Sequence, residues 1–208
     1  AENEAFPLIR YTTHAGSTQF ATLDVPAGSG YGSYYGVGTY LLARGTALNG
    51  QINEWISNSS GDWSTGTNWS LGVAPNSATM SVLMDRVGFT PTVTISSGSW
   101  TVGELISQEH LTMTGGSLTV VGETAIAGQL TLNNAAQLLT QGHLDLGAVT
   151  LNGSSQFTAQ QAGHIASFVQ NGGTSTFNGA GLAFDAIDIR GGTVNYNASS
   201  GKVIKCDL

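Results

Sequence analysis

Basic residues and cysteine are scarce in this sequence. Of 208 residues, six are Lys or Arg and one is Cys, against 13 Asp or Glu, so the formal net charge is −7. Because binding to nucleic acid needs a clustered basic face, we expect no nucleic-acid partner, and an anionic lipid surface is disfavoured for the same reason. The single thiol, Cys206, cannot close an internal disulfide, so packing and hydrogen bonds must stabilise the fold.

The sequence also has few charged residues of either sign and no long apolar run. Charged residues make up 9% of the chain; because Lys and Glu are common on exposed helix faces, we expect almost no helix. No apolar segment approaches the ~18 residues that a membrane-spanning helix needs, so we expect no membrane insertion. The sequence starts without Met or a signal-peptide pattern, and we expect it to be a processed piece of a larger protein.

What the sequence has in abundance is glycine, with 29 residues, together with a strict 19-residue period. An apolar-x-apolar triplet recurs, each copy followed by a turn-forming Gly or Asn and then by a second short strand-like piece. The five triplets begin at Leu111, Leu130, Val149, Phe168 and Ile187. A constant period of this kind is typical of a solenoid, in which residues one period apart stack at the ~4.8 Å strand spacing.

These features predict an all-β fold, a parallel β-solenoid (β-helix) with coils of about 19 residues, preceded by a small irregular β segment. We expect three regions: an N-terminal β segment at 1–50 that ends an upstream unit, a tryptophan-rich cap at 51–92, and the solenoid at 93–208. Gln170 interrupts the second apolar column, so it should be hydrogen-bonded or turned outward, because an unpaired buried amide costs ~1 to 3 kcal/mol. Thr112, Thr131 and Thr150 should form an outward ladder.

Two groups of aromatic residues each allow a structural and a functional interpretation. Three tryptophans within fifteen residues either cap the open end of the solenoid or present platforms for carbohydrate. Three tyrosines among glycines either pack over strand edges or stack on a sugar ring. The glycan-binding hypothesis uses Trp55, Trp63, Trp69, Tyr31, Tyr34 and Tyr35.

Two pairs of titratable residues lie one period apart and should therefore be neighbours on adjacent coils. Glu104 and Glu123 are either solvated surface carboxylates or a site where one carboxyl pKa rises or Ca²⁺ binds, which makes calcium the candidate cofactor. Asp145 and His164 are expected to form a small surface pair. Because neither pair is joined by a Lys or Arg, the sequence predicts no enzyme, with a polysaccharide lyase or hydrolase on a β-helix as an alternative.

A resemblance to a known family starts in the tryptophan-rich region. Trp55, Gly61-Asp62-Trp63, Asn68-Trp69, Gly72 and Pro75 lead into Val82-Leu83-Met84 and Val93-Thr94-Ile95. This arrangement resembles the lead-in segment of bacterial autotransporter-type passenger repeats and related large secreted surface proteins. The resemblance implies a right-handed parallel β-helix after the tryptophans and a location outside the cell or at the bacterial surface.

Together the repeat and the resemblance favour a non-catalytic structural or adhesive segment of a bacterial surface or matrix protein. Self-association through the solenoid ends is the expected partner mode, since an open terminal coil offers an unpaired edge. A carbohydrate-binding module that uses the exposed aromatic residues is the alternative, with surface glycans as its partners.

Overall fold

A computed structural model describes residues 51–197 in full and the backbone of three earlier strands, 5–10, 31–35 and 39–44. The strands are β1 (Ala5–Arg10), β2 (Tyr31–Tyr35), β3 (Thr39–Arg44), β4 (Gln51–Glu54), β5 (Gly61–Asp62), β6 (Ser77–Met84), β7 (Thr92–Ile95), β8 (Ser99–Ser107), β9 (His110–Met113), β10 (Ser117–Val120), β11 (Thr124–Leu132), β12 (Gln137–Thr140), β13 (Leu144–Leu151), β14 (Gln156–Ala159), β15 (Gly163–Gln170), β16 (Thr174–Phe177), β17 (Leu182–Ile189) and β18 (Thr193–Tyr196). The helical content of the described chain is one 3-10 turn, Gly66–Asn68. None of its helices is long and apolar enough to cross a membrane.

The first three strands form a separate antiparallel sheet in the order β1-β3-β2. Strand β3 pairs with both neighbours. Its residue Arg44 lies opposite Tyr31 of β2, and its residue Ala43 lies opposite Ala5 of β1. An irregularity between Pro7 and Ile9 shifts the register of β1. This sheet agrees with the small irregular β segment predicted within 1–50.

The remaining 15 strands form one parallel sheet wound into a β-solenoid of about six turns, with coils of about 19 residues. The register confirms the predicted apolar column: Leu111 pairs with Leu130, Leu130 with Val149, Val149 with Phe168, and Phe168 with Ile187. The first four of these side chains are at most 1% exposed. Each coil therefore buries its apolar positions against the coils before and after it, and the core runs continuously along the axis.

The solenoid begins earlier than the sequence predicted. Strand β4 pairs in parallel with β6, β6 with β8, and β5 with β7, all within the same sheet. Residues 51–92 are therefore the first coils of the stack, and the boundary expected at 93 is wrong. The 19-residue pattern is not recognisable there because Leu83 and Ile106, which pair, are 23 residues apart.

Glycine marks the turns where one coil lies directly on the next. Gly116 has φ +69°, and a Cβ on it would lie 2.5 Å from the carbonyl oxygen of Gly98 in the coil below. A side chain there would meet both the left-handed conformation and the neighbouring backbone. At Asn134, with φ 54°, asparagine occupies the left-handed position that Gly153 takes one period later.

Gln170 confirms the prediction for the residue that breaks the second column. Its side chain is fully buried, and its Nε2 donates to the carbonyl oxygens of Thr193 at 3.1 Å and Gly173 at 3.3 Å. Its Oε1 accepts a hydrogen bond from Ser175 Oγ at 2.7 Å. Both polar ends of the amide are paired, so the column tolerates it.

The predicted threonine ladder is in register as well, with Thr131 opposite both Thr112 and Thr150.

Candidate functional site

The three tryptophans of 51–92 lie in the core. Trp55, Trp63 and Trp69 are 1%, 0% and 1% exposed. Trp69 packs edge-on against the other two, with ring centroids 5.1 Å and 4.9 Å away. Its Nε1 donates to the Trp63 carbonyl at 2.7 Å, and Trp63 Nε1 donates to the Pro75 carbonyl at 3.1 Å. The indoles are therefore part of the core of the first described coils; whether they cap an open end of the solenoid stays a prediction.

This burial overturns the glycan-binding prediction for Trp55, Trp63 and Trp69. Stacking on a sugar requires an accessible aromatic face, and none of the three indoles has one. Tyr31, Tyr34 and Tyr35 lie in strand β2, but their side chains are outside the described residues. For the tyrosines, glycan binding stays a prediction. Cys206 also lies outside the described residues.

Glu104 and Glu123 lie on adjacent coils, as their spacing predicted. The amide of Leu105 donates to the Glu123 carbonyl at 2.9 Å, which places the two strands side by side. Glu104 is 8% exposed and accepts a hydrogen bond from Ser81 Oγ at 3.0 Å; burial raises its pKa. Glu123 is half-buried, and its Oε1 is buried without a hydrogen-bond partner.

Of the two carboxyl groups, Glu123 has the more strongly raised pKa. Burial, then the negative charges of Glu104 and Asp145, raise it to about 7. This agrees with the expected effect of like charges on neighbouring coils. Within the described residues, no group of three or more His, Cys, Asp or Glu is arranged to hold a metal ion. Ca²⁺ takes about six to eight oxygen ligands, so calcium at Glu104 and Glu123 stays a prediction that needs further ligands.

Asp145 and His164 also meet as predicted, and a third residue joins them. Asp145 pairs with His164 across β13 and β15, and His164 Nδ1 lies 3.3 Å from Asp145 Oδ1. His164 Nε2 lies 3.0 Å from Oδ1 of Asp185. Asp185 was missed because it is 21 residues from His164, a diagonal neighbour on the next coil rather than a stacked one.

The two carboxylates favour the protonated form of His164. Each ring nitrogen faces a carboxylate oxygen, and only the imidazolium can donate from both nitrogens at once. The hydrogen bond to Asp185 is the largest cause raising the pKa of His164; partial burial opposes it, and Asp145 adds to the rise. The side chain of His164 is 40% exposed, so this is a surface cluster in contact with solvent.

A groove of about 440 Å³ lies beside this cluster. Four successive coils contribute to its walls, at 106–108, 125–127, 145–147 and at His164 and Ala166. Along one outward column the chemistry changes halfway, from Ile106 and Ala125 to Asp145 and His164. The groove therefore has an end without charged side chains, at 106–108 and 125–127, and an acidic end.

Two ladders of amide side chains run along the outside of the coils. Asn152 Nδ2 donates to Asn133 Oδ1, and Asn171 Nδ2 donates to Asn152 Oδ1, each at 2.8 Å. On another edge, Asn178 donates to Gln160 at 3.0 Å and Asn197 donates to Asn178 at 2.9 Å. Neither ladder was predicted from the sequence, although Asn recurs at the 19-residue period in the first.

The stacked coils and ladders define the class of the protein, a parallel β-solenoid. No protein-family model, curated protein or solved structure matches the chain.

Proposed function

We propose that the chain is a non-catalytic structural or adhesive segment of a bacterial surface or matrix protein, of the kind the resemblance to autotransporter passengers implies. The observation that supports it best is the uninterrupted stacking of coils, in which one register continues from Val93 to Ile187. Such a stack supplies length and stiffness, which are the properties a spacer needs.

Self-association through the solenoid end is part of the same proposal. Strand β17 pairs with β15, and within the described residues no strand pairs with its other edge. Its residue Ile189 is 40% exposed, and the neighbouring Ile187, Val194 and Tyr196 are only partly buried against the core. An unpaired parallel strand with an apolar face is a template for strand addition.

Location is tested on the source bacterium. Antibodies raised against the folded chain should label intact cells, and protease treatment of those cells should remove the signal. A signal that appears only after lysis, with an external marker protein labelled in parallel, would contradict a surface or matrix location. A chain that turns over polysaccharides, with activity abolished by His164→Gln, would contradict the non-catalytic part.

Self-association is tested by sedimentation. Filaments or oligomers should form as the concentration rises, and a charged variant of the exposed edge, Ile189→Asp, should remain monomeric. Monomers at all concentrations for the unaltered chain would exclude end-to-end assembly.

The glycan-binding alternative now depends only on the tyrosines of β2. Loss of binding on a glycan array in a folded Tyr34→Ala variant would support it.

A further inference from the structure

The groove beside His164 runs along the solenoid axis. It spans four coils, or three strand spacings of ~4.8 Å, which is about 14 Å. An extended polypeptide advances ~3.3 Å per residue, so about four residues cover this length. A volume of about 440 Å³ lies in the range of ligand-binding clefts, roughly 300 to 1,000 Å³.

The acidic end of the groove favours a positive charge. Asp145 lines the groove, and Asp185 lies next to it in contact with the lining residue His164. Each aspartate uses Oδ1 to contact His164, and among the described residues no hydrogen bond reaches the second oxygen of either. Glu123 adds negative charge close to Asp145. The cationic Arg190 pairs with Asp188 at 2.6 Å and does not line the groove.

The other end of the groove carries no charged side chain. Ile106, Ser107, Gln108, Ala125 and Ala127 line it; Ile106 is only 3% exposed, whereas Ala127 is exposed. The groove exists because the residues at four of its lining positions are small, whereas larger side chains there would fill it. These residues are Ala125, Ala127, Gly147 and Ala166. An apolar side chain of a bound extended peptide could therefore be buried here. It would be three or four residues along that peptide from a basic residue at the acidic end.

We propose that this groove binds an extended peptide segment of about four residues from a partner protein. A Lys or Arg of that segment lies against Asp145 and Asp185, and an apolar side chain lies on Ala125 and Ala127. This inference adds a partner to the scaffold role and does not depend on it, since a groove on one flank needs neither surface location nor filament formation.

The test uses synthetic tetrapeptides blocked at both ends and titrated into the full chain by calorimetry. One peptide has leucine, two glycines and lysine; a second has the reverse order, because the groove sets no direction. Matched peptides carry glutamine in place of lysine, or glycine in place of leucine. At least one lysine peptide should bind saturably, and its glutamine counterpart should bind about tenfold more weakly, because charge-assisted hydrogen bonds are lost.

Variants of the chain locate the binding. Asp145→Asn and Asp185→Asn should each weaken the lysine peptide about tenfold, and Ala127→Leu should block it by filling the exposed floor. Asp188→Asn removes a carboxylate outside the groove and should change nothing. No binding of any peptide, equal binding of lysine and glutamine peptides, or full affinity in Ala127→Leu would overturn the proposal.

The pH dependence supplies a second readout. The groups that face His164 are Asp145 on β13 and Asp185 on β17, and Glu123 on the coil before Asp145 acts on that carboxylate. As pH falls and His164 takes up its proton, the imidazolium competes with the peptide's ammonium, so affinity should fall. In His164→Gln the affinity should fall much less over the pH range in which His164 titrates, and the remaining fall comes from protonation of Glu123. An affinity for the unaltered chain that is constant there would overturn the proposal, whereas the surface-labelling and sedimentation results would be unaffected.

Discussion

Ser175 donates its hydroxyl proton to Gln170 Oε1 across 2.7 Å, and both side chains are fully buried. The contact joins two strands, β15 and β16, inside the apolar core. This bond pairs the amide oxygen of Gln170. The Nε2 atom of the same side chain donates separately to the carbonyls of Gly173 and Thr193. The polar break in the column is thus tolerated because of one neighbouring hydroxyl.

Ser175→Val should therefore destabilise the chain by about 1 to 3 kcal/mol, since it leaves the Gln170 oxygen buried and unpaired. Adding Gln170→Leu should recover part of this loss, because the column then resembles its copies at Met113, Leu132 and Leu151. Urea unfolding gives the free energy of unfolding of each variant. Additive losses in the double variant would show that the two side chains do not act as a pair.

Glu123 should make stability fall between pH 4.5 and about 7. In the unfolded chain its carboxyl titrates near 4.5, whereas the folded-state pKa is about 7, so the folded state binds more protons in this window and loses stability as pH rises. After allowance for solvent screening, the effect is on the order of 1 to 2 kcal/mol. Unfolding measured at pH 5 and pH 8 gives the difference.

The matched variant is Glu123→Gln, which should be more stable than the parent at pH 8 and should lose the part of the fall that Glu123 contributes. The raised pKa values of Glu104 and His164 leave a smaller fall in place. Asp188→Asn, an exposed carboxylate paired with Arg190, provides the control. If the stability of the parent rises from pH 5 to pH 8, and that of Glu123→Gln rises equally, Glu123 does not have a raised pKa in the folded state.

The tryptophan cluster should stabilise the chain and contribute nothing to glycan binding. Trp63→Ala removes a fully buried indole and should cost about 3 to 5 kcal/mol. Trp69→Phe keeps most of the volume but leaves the Trp63 carbonyl without its donor, at a cost of about 1 to 3 kcal/mol. Trp100→Ala is the control, since Trp100 is only half-buried and should cost less. A Trp63→Ala variant as stable as the parent would contradict the role of the cluster in the core.

The asparagine ladder should stabilise the turn at which it lies. Asn152 both donates to Asn133 and accepts from Asn171, so Asn152→Ala breaks two hydrogen bonds and should cost about 1 to 3 kcal/mol. Asn195→Ala, which loses one exposed hydrogen bond to Thr176, should cost less. Equal losses in the two variants, measured by thermal unfolding, would show that the ladder adds nothing beyond single contacts.

The regular coils could be predicted from sequence because a constant period converts directly into spatial stacking. Leu130 lies on Leu111, and His164 lies on Asp145, by counting alone. Diagonal relations escaped this counting, so Asp185 was missed beside His164. The start of the stack was placed at 93, although strands within 51–92 already belong to it, because the spacing in these coils is irregular.

Burial of the tryptophans could not be decided from spacing either. Whether an indole caps a core or presents a face depends on the whole cross-section of the first coils, which no local pattern encodes. The groove is a similar case. Its small residues, Ala125 and Ala127 on β11, Gly147 on β13 and Ala166 on β15, form a cavity only because these three strands lie side by side.

The parallel stacking also determines how the segment responds to mechanical load. Hydrogen bonds between coils run along the axis, so axial tension acts on them in line and opens one coil at a time from an end. A coil of about 19 residues advances the stack by ~4.8 Å, but once opened it supplies roughly 65 Å of extended chain. A segment built this way resists bending while folded and lengthens more than tenfold, coil by coil, when pulled beyond its strength.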